Sequence, residues 1–308
     1  VSEFFTVSVL VATLASGIRL ATPYLFAALG ETVGQRSGVL NLGVDGVMLL
    51  GAFFAHWTAL ETGNLWLAVL VGLATGLVMG GIYALITLYF KAEQGISGIG
   101  IFLFGLGFSD LMFEVKIGSP KFTKQLPDVD IPLLADIPEI GELFSQSLLT
   151  YGAFLMVPAV ALLLRRTTFG MNVRAVGENP QAADSLGVSV NRVRLTTILI
   201  GNSMAGVAGA ALVLEAKVFQ PNLTQGLGFI AVALVYFGAW RPLYVMAGAL
   251  LYGLVQATVI RWKVLDIISR EFSDIAAMAP AVLTVVALIV LAGRVQAPSA
   301  LTKPFERH

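Results

Sequence analysis

Apolar residues along this chain come in long runs separated by charged or Gly/Pro-rich breaks. The breaks mark out nine candidate helical spans, at residues 6–29, 38–60, 65–90, 95–113, 147–164, 193–215, 227–238, 243–260 and 275–293. Most runs hold about 20 residues, which at about 1.5 Å of rise each cover the roughly 30 Å hydrocarbon core of a bilayer. The strands of a membrane barrel would show short alternating segments instead. The seventh run is too short to cross and reads as a half-helix or re-entrant segment. The pattern therefore predicts an all-α polytopic transmembrane helix bundle of about eight to ten spans, some of them broken, with residues 1–308 forming one domain. Residues 1–5 lack a basic stretch and a small-residue cleavage site, so 6–29 reads as a retained span rather than a signal peptide.

Two finer patterns overlie the runs. Small residues recur at helical spacing in Gly72, Gly76 and Gly80 and in Gly201, Ala205 and Gly209, giving flat stripes that let helices approach closely in lipid. They are taken as packing within one bundle rather than as a dimer face. Gly-interrupted segments also occur in both halves, Ser37-Gly38-Val39-Leu40-Asn41-Leu42-Gly43-Val44-Asp45-Gly46 in the first and Gly226-Leu227-Gly228-Phe229 leading to Gly238 in the second. Paired broken helices of this kind point to a substrate path.

Composition adds the solvent and the orientation. With 57% hydrophobic and 12% charged residues, against roughly 25% charged in soluble domains, the surroundings are lipid, and no basic nucleic-acid face exists. Cysteine is absent and the two histidines, His56 and His308, are far apart, which excludes disulfides and a metal cluster of the His- or Cys-rich kind. The segment 165–194 holds Arg165, Arg166, Arg174, Arg192 and Arg194 against Glu178 and Asp184, whereas 114–146 holds three Lys against six carboxylates. The positive-inside bias makes the first loop cytoplasmic and the second external. The N-terminus is then outside and the C-terminus, with Arg294, Lys303 and Arg307, inside. The loop 261–273, with Arg261, Lys263 and Arg270, runs against this assignment.

The most informative polar stretch is Thr168 to Val188. Asn179 is a good N-cap, Pro180 suits the first helical position, and Gly187 can take the left-handed C′ position, which delimits a helix of about two turns. So short a helix needs support from its own loop or from a docking partner, and Ala182, Ala183 and Leu186 give it a small apolar face. An ordinary loop helix and a docking helix fit this spacing equally. Within the spans, polar side chains that are costly in lipid are pathway candidates: Asn41 and Asp45 in the broken segment, Ser97, Asn202 and Gln256, with Phe229 as an aromatic candidate. Arg19, mid-span, needs a partner, and Asp45 is the expected one, either as a structural pair or within the pathway. Asp110 and Glu215 are expected to be solvated near external helix ends, and His56 to be a satisfied interior side chain. No catalytic residues are expected.

Here a resemblance becomes specific. Phe169-Gly170, Arg174-Ala175-Val176-Gly177-Glu178-Asn179-Pro180, Ala182-Ala183 and Gly187 closely resemble the cytoplasmic coupling loop of ABC-importer permeases of the ribose, branched-chain amino acid and nucleoside group. Residues 37–46 with Met48-Leu49-Leu50-Gly51-Ala52 resemble that group's first broken helix. Gly226 through Phe229, Phe237-Gly238 and Trp240-Arg241-Pro242-Leu243 resemble its second. The branch it is most similar to works with basic-membrane-protein-type lipoprotein receptors, where the acidic residue of the first broken helix is more often Glu than Asp.

The resemblance implies a permease subunit in a bacterial inner membrane, forming half of a path for nucleosides or related simple sugars. It further implies a coupling loop at 166–192 that presses Arg174, Glu178, Asn179, Pro180, Ala182, Ala183, Leu186 and Gly187 against a separate ATPase. The other implied partners are a second permease that is a paralogue and an external substrate-binding lipoprotein. ATP and Mg would sit on the ATPase, in agreement with the absence of a Gly-x-x-x-x-Gly-Lys-Ser/Thr loop from this chain. The competing readings are an ion-gradient-driven secondary transporter, which also uses broken helices, and an intramembrane enzyme.

Overall fold

The computed structural model describes residues 6–265, 276, 278–291 and 296–305. In chain order its elements are α1 (Val7–Arg36), α2 (Val44–Thr62), α3 (Leu65–Ala84, prolonged by the π turn Leu85–Tyr89), α4 (Gln94–Lys116), β1 (Asp128–Asp130), β2 (Ser145–Ser147), α5 (Leu148–Arg166), α6 (Thr168–Glu178), α7 (Pro180–Ser185), α8 (Val190–Ala216), α9 (Leu227–Phe237), α10 (Pro242–Val264) and α11 (Ala279–Leu291). Among them α1, α3, α4, α5, α8 and α10 are long and apolar enough to cross a membrane. α2, with 19 residues as long as α5 but of lower mean hydropathy, is buried continuously from Val44 through Phe53. α9 is confirmed as too short to span, and the ends of the expected ninth span, 275–293, lie partly outside the described residues.

α8 forms the axis of the bundle, packed by α1, α2 and α3. The glycine stripes explain how closely. A Cβ at Gly76 would meet the Asn202 carbonyl, one at Gly206 the Gly72 carbonyl, and one at Gly209 the Met48 carbonyl. Backbones can approach this way only where no side chain intervenes, so the small residues serve intrachain packing as expected. β1 and β2 pair antiparallel, Val129 opposite Gln146, and close the long connection at one end of the bundle. α6, α7 and the segment 296–305 gather at the other end, where Ala300 N donates to the Gly177 carbonyl (2.9 Å) and Thr302 N to the Gly38 carbonyl (3.2 Å).

The first span is longer than its apolar run. Glu31, Gln35 and Arg36 would end a lipid-facing helix, yet Glu31 and Gln35 are buried. Gln35 Nε2 donates to Glu31 Oε2 (3.0 Å), Trp240 Nε1 donates to Gln35 Oε1 (2.8 Å), and Arg36 Nε donates to the Trp240 carbonyl (3.2 Å). Polar groups satisfied by protein rather than exposed to lipid let the helix continue to Arg36.

Three sequence expectations fail. Arg19 pairs not with Asp45 but with Glu142, at 3.7 Å. Between Arg19 and the end of α1 lie about 25 Å of helix, and the chain re-enters the bundle from that far end. Asp110 and Glu215 are half-buried rather than solvated; Glu215 accepts from Gln125 Nε2 at 3.3 Å. His56 is fully buried beside Phe219, as expected of an interior side chain, with the Lys121 backbone as the polar group acting on it, although neither ring nitrogen is hydrogen-bonded within the described residues.

Candidate functional site

Two non-helical segments enter the bundle from opposite ends and meet inside it. The first, residues 37–43, follows α1. Gly38 has φ +88°, a left-handed conformation open to glycine at little cost. Inside a membrane freed backbone groups need partners from the protein, and those of Ser37, Leu40 and Gly43 have them. Arg194 Nε donates to the Ser37 carbonyl (3.3 Å), Gln94 Oε1 accepts from Leu40 N (2.9 Å), and Tyr83 OH donates to the Leu40 carbonyl (2.7 Å). Asn41 is the hinge of the turn into α2. Its Oδ1 accepts from Gly43 N (2.8 Å), while its Nδ2 donates to Asn202 Oδ1 (3.0 Å) on the axial helix.

The second segment, residues 217–226, starts beside the long connection, where Val218 bridges to Phe122, and descends to Gly226, also left-handed at φ +88°. α9 begins at the next residue. Asp45, in the first turn of α2 and wholly buried, joins the two segments. Its Oδ2 accepts from Thr224 Oγ1 (2.9 Å) and its Oδ1 from Gly228 N (2.7 Å). A carboxylate facing the amides of a helix start is well placed, because the free N–H groups and the helix dipole both favour negative charge there. Gly228 is required at this contact, since a Cβ would collide with the backbone of Asp45. Among the described residues the carboxylate is therefore held by donors from the second broken segment and not by a cation.

A cavity of about 410 Å³ opens next to this junction, lined by Tyr24, Thr224, Gln225, Ile230, Tyr252 and Gln256 among others. Tyr24 OH donates to Gln256 Oε1 at 3.0 Å, and the Tyr24 and Tyr252 rings lie 4.9 Å apart, tilted by 60°. The walls thus combine two phenol rings, the amides of Gln225 and Gln256, the Thr224 hydroxyl and the Lys263 ammonium, a surface that can both stack a flat ligand and hydrogen-bond its edge.

The structure brings together some of the residues expected to line a path and not others. Asn41, Asp45 and Asn202 are buried at the junction, and Gln256 lines the cavity. Phe229 instead packs edge-on against Phe102 (centroids 5.0 Å apart), and the Ser97 hydroxyl donates to the Glu93 carbonyl (2.6 Å) within α4. Tyr24, Thr224 and Tyr252 were not singled out. Thr224 lies two residues before Gly226, and that proximity to a break was its available signal; a tyrosine inside an apolar span carries none.

At the far end, α7 has the boundaries read from its sequence. Asn179 Oδ1 accepts from Ala182 N (3.0 Å), Pro180 is the first helical residue, and Gly187 has φ +85°. Its apolar face divides: Ala183 is buried, whereas Leu186 is 84% exposed and Ala182 is exposed. The helix α6 before it lies in the stretch read as loop, and its Gly170, Asn172 and Gly177 are weak helix formers. Tertiary packing decides otherwise. Val173 and Val176 are buried, and Gly177 sits so close to the Arg36 carbonyl that no side chain would fit. The end of α6 therefore rests directly on the point where α1 stops. Of the other residues expected to contact an ATPase, Arg174 Nε reaches its own helix at the Gly170 carbonyl (3.4 Å), and Glu178 accepts from Ser299 Oγ (3.0 Å).

Comparison with known proteins accords with this architecture. The sequence profile described as "Branched-chain amino acid transport system / permease component" matches residues 13–292. A putative glucose ABC transporter permease of Haloferax volcanii is 40% identical over 81% of this chain and 77% of its own. A guanosine ABC transporter permease of Bacillus subtilis is 32% identical over 92% of this chain and 93% of its own. A nucleoside ABC transporter permease of Lactococcus lactis is 31% identical over 91% and 92%. No solved structure matches. These relatives decide against the ion-gradient-driven reading and against an intramembrane enzyme. The chain belongs to the branched-chain amino acid transport system permease family, and it is a multi-pass membrane permease subunit of an ABC importer.

Proposed function

We propose that this chain supplies half of the translocation path for nucleosides or related simple sugars, with the cavity bounded by Tyr24, Thr224, Tyr252 and Gln256 as part of that path. The observation that carries this is the Asp45 junction, which ties two broken segments together beside a cavity whose walls suit a flat, hydrogen-bonding ligand. The ligands named for the relatives, glucose, guanosine and nucleosides, support the ligand class.

The remaining parts follow the division of labour in such importers. α6 and α7, within a cytoplasmic coupling loop at 166–192, meet a separate ATPase that holds ATP and Mg. The exposed Leu186 and Ala182 are the contact, and Ala183 anchors α7 to its own support. The connection 114–146 faces outward toward a substrate-binding lipoprotein, and a paralogous permease completes the path in the bacterial cytoplasmic membrane. Segment 296–305 is then cytoplasmic, since it is bonded to α6.

ATP closes the ATPases and moves α7, and α6 transmits the shift through Gly177 to the end of α1 and so to the segment 37–43. Such a switch needs two packed states whose balance the nucleotide changes. The test is ATP-driven uptake by the complete transporter in proteoliposomes, offered a panel of nucleosides and sugars. Gln256→Ala is expected to raise the KM for the transported ligand about tenfold, the cost of one lost polar contact, at near-normal ATPase activity. Uptake that Gln256→Ala and Tyr252→Ala leave unaltered for every ligand would remove the cavity from the path.

A further inference from the structure

A second cavity, of about 340 Å³, lies where α1, α5, α6 and the turn into α10 converge. Four arginines line it: Arg36 at the end of α1, Arg165 at the end of α5, Arg174 on α6 and Arg241 just before α10. The remaining wall is Ala161, Leu164, Trp240 and Pro242, so the lining contains no carboxylate. The charges of Arg165, Arg174 and Arg241 all act on Arg36, and among the described residues the acidic group acting on it is Glu178, whose carboxylate already accepts from Ser299.

Three of the four arginines have a protein contact among the described residues, and Arg165, Arg174 and Arg241 are exposed at the mouth of the cavity. Arg36 Nε donates to the Trp240 carbonyl (3.2 Å), Arg174 Nε donates to the Gly170 carbonyl (3.4 Å), and the Arg241 guanidinium lies 5.6 Å from the centre of the Tyr244 ring. These contacts engage Nε or the guanidinium face and leave the terminal NH2 groups as donors. Like charges gathered in a concave site repel one another unless an anion sits among them. Arginine forks match the oxygens of phosphate, and basic pockets between helices at a membrane surface suit phospholipid headgroups.

We propose that this four-arginine cavity binds a phosphate group, supplied either by the headgroup of an anionic phospholipid or by a soluble phosphate. Four separate elements contribute the arginines, so the bound anion clamps α6 to α1, α5 and α10.

Native mass spectrometry of the full chain, taken from membranes containing phosphatidylglycerol and phosphatidylcholine, tests the proposal, with inorganic phosphate as the competing probe. The wild type is expected to retain phosphatidylglycerol over phosphatidylcholine, and Arg165→Gln/Arg241→Gln to lose that retention by about tenfold or more. Arg166→Gln/Arg192→Gln, which alters arginines outside the lining, should retain lipid as the wild type does. Displacement of the lipid by inorganic phosphate identifies the phosphate group alone as the ligand; retention against phosphate identifies the whole headgroup. Arg165→Lys/Arg241→Lys, which preserves charge without the fork, guards against misfolding and is expected to show intermediate retention. Equal retention by the wild type and both cavity variants overturns the proposal. So does unchanged retention accompanied by loss of the co-purifying ATPase, which would make the arginines a protein-docking surface.

Discussion

Asp45 and Gly228 carry the junction, and each substitution there has a defined physical cost. Asp45→Asn replaces one acceptor oxygen with an NH2 that must face either the Thr224 hydroxyl or the Gly228 amide. Leaving a buried donor unsatisfied costs about 1–3 kcal/mol. The variant is expected to lower the thermal midpoint of the purified protein and to cut uptake, both read against the wild type in one lipid mixture. Gly228→Ala should be worse, because the added methyl meets backbone, which cannot rotate away; loss of the folded species on size exclusion is the expected result. Asp45 was legible as costly in lipid, and its place in a Gly-interrupted segment marked it out. Its partner was not legible. Arg19 offered the obvious opposite charge, whereas a hydroxyl and a backbone amide about 180 residues away leave no trace in composition or spacing.

Helix ends decide the behaviour of the elements at the α7 end of the bundle. Asn179→Ala removes the cap of α7 and should destabilise it by about 1 kcal/mol, seen as faster hydrogen exchange at residues 180–187 with the spans unaffected. Leu186→Asp should leave folding stability within about 0.5 kcal/mol of wild type, as surface substitutions do, yet reduce ATP-driven uptake, because the exposed leucine is the proposed contact with the ATPase. Glu93 caps α4, accepting from Gly95 N (2.9 Å) and Ile96 N (2.6 Å), and those two bonds, Ile96 first, hold its carboxyl below the usual range. The folded state therefore favours the ionised form. The cap contributes stability above the ordinary glutamate pKa, and the contribution fades as pH falls through the lowered one. The difference in thermal midpoint between wild type and Glu93→Ala should be constant near neutrality and should shrink in acid. α7 was legible because cap, proline and glycine are local signals. α6 was not, because burial of Val173 and Val176 and the seating of Gly177 on α1 override weak helix propensity.

Across the whole molecule, the apolar runs located the spans well, since the bilayer sets their length and excludes alternatives to helix. They failed where protein rather than lipid surrounds the chain. α1 continues seven residues past its apolar run, because Glu31 and Gln35 are satisfied by each other and by Trp240. The two broken segments were visible as glycine interruptions, but their meeting at Asp45 is tertiary. That meeting gives a continuous physical route from α7 through α6 and the end of α1 to the junction and its cavity, and the account's central claim is that the route transmits motion. The chain has no cysteine, so Ile230→Cys on α9 places a single thiol at the cavity. The direct test is its rate of modification by a water-soluble maleimide in the assembled transporter, with and without ATP, alone and combined with Leu186→Asp. The account predicts a rate that changes with ATP and a change that Leu186→Asp abolishes; one rate under all four conditions would contradict it.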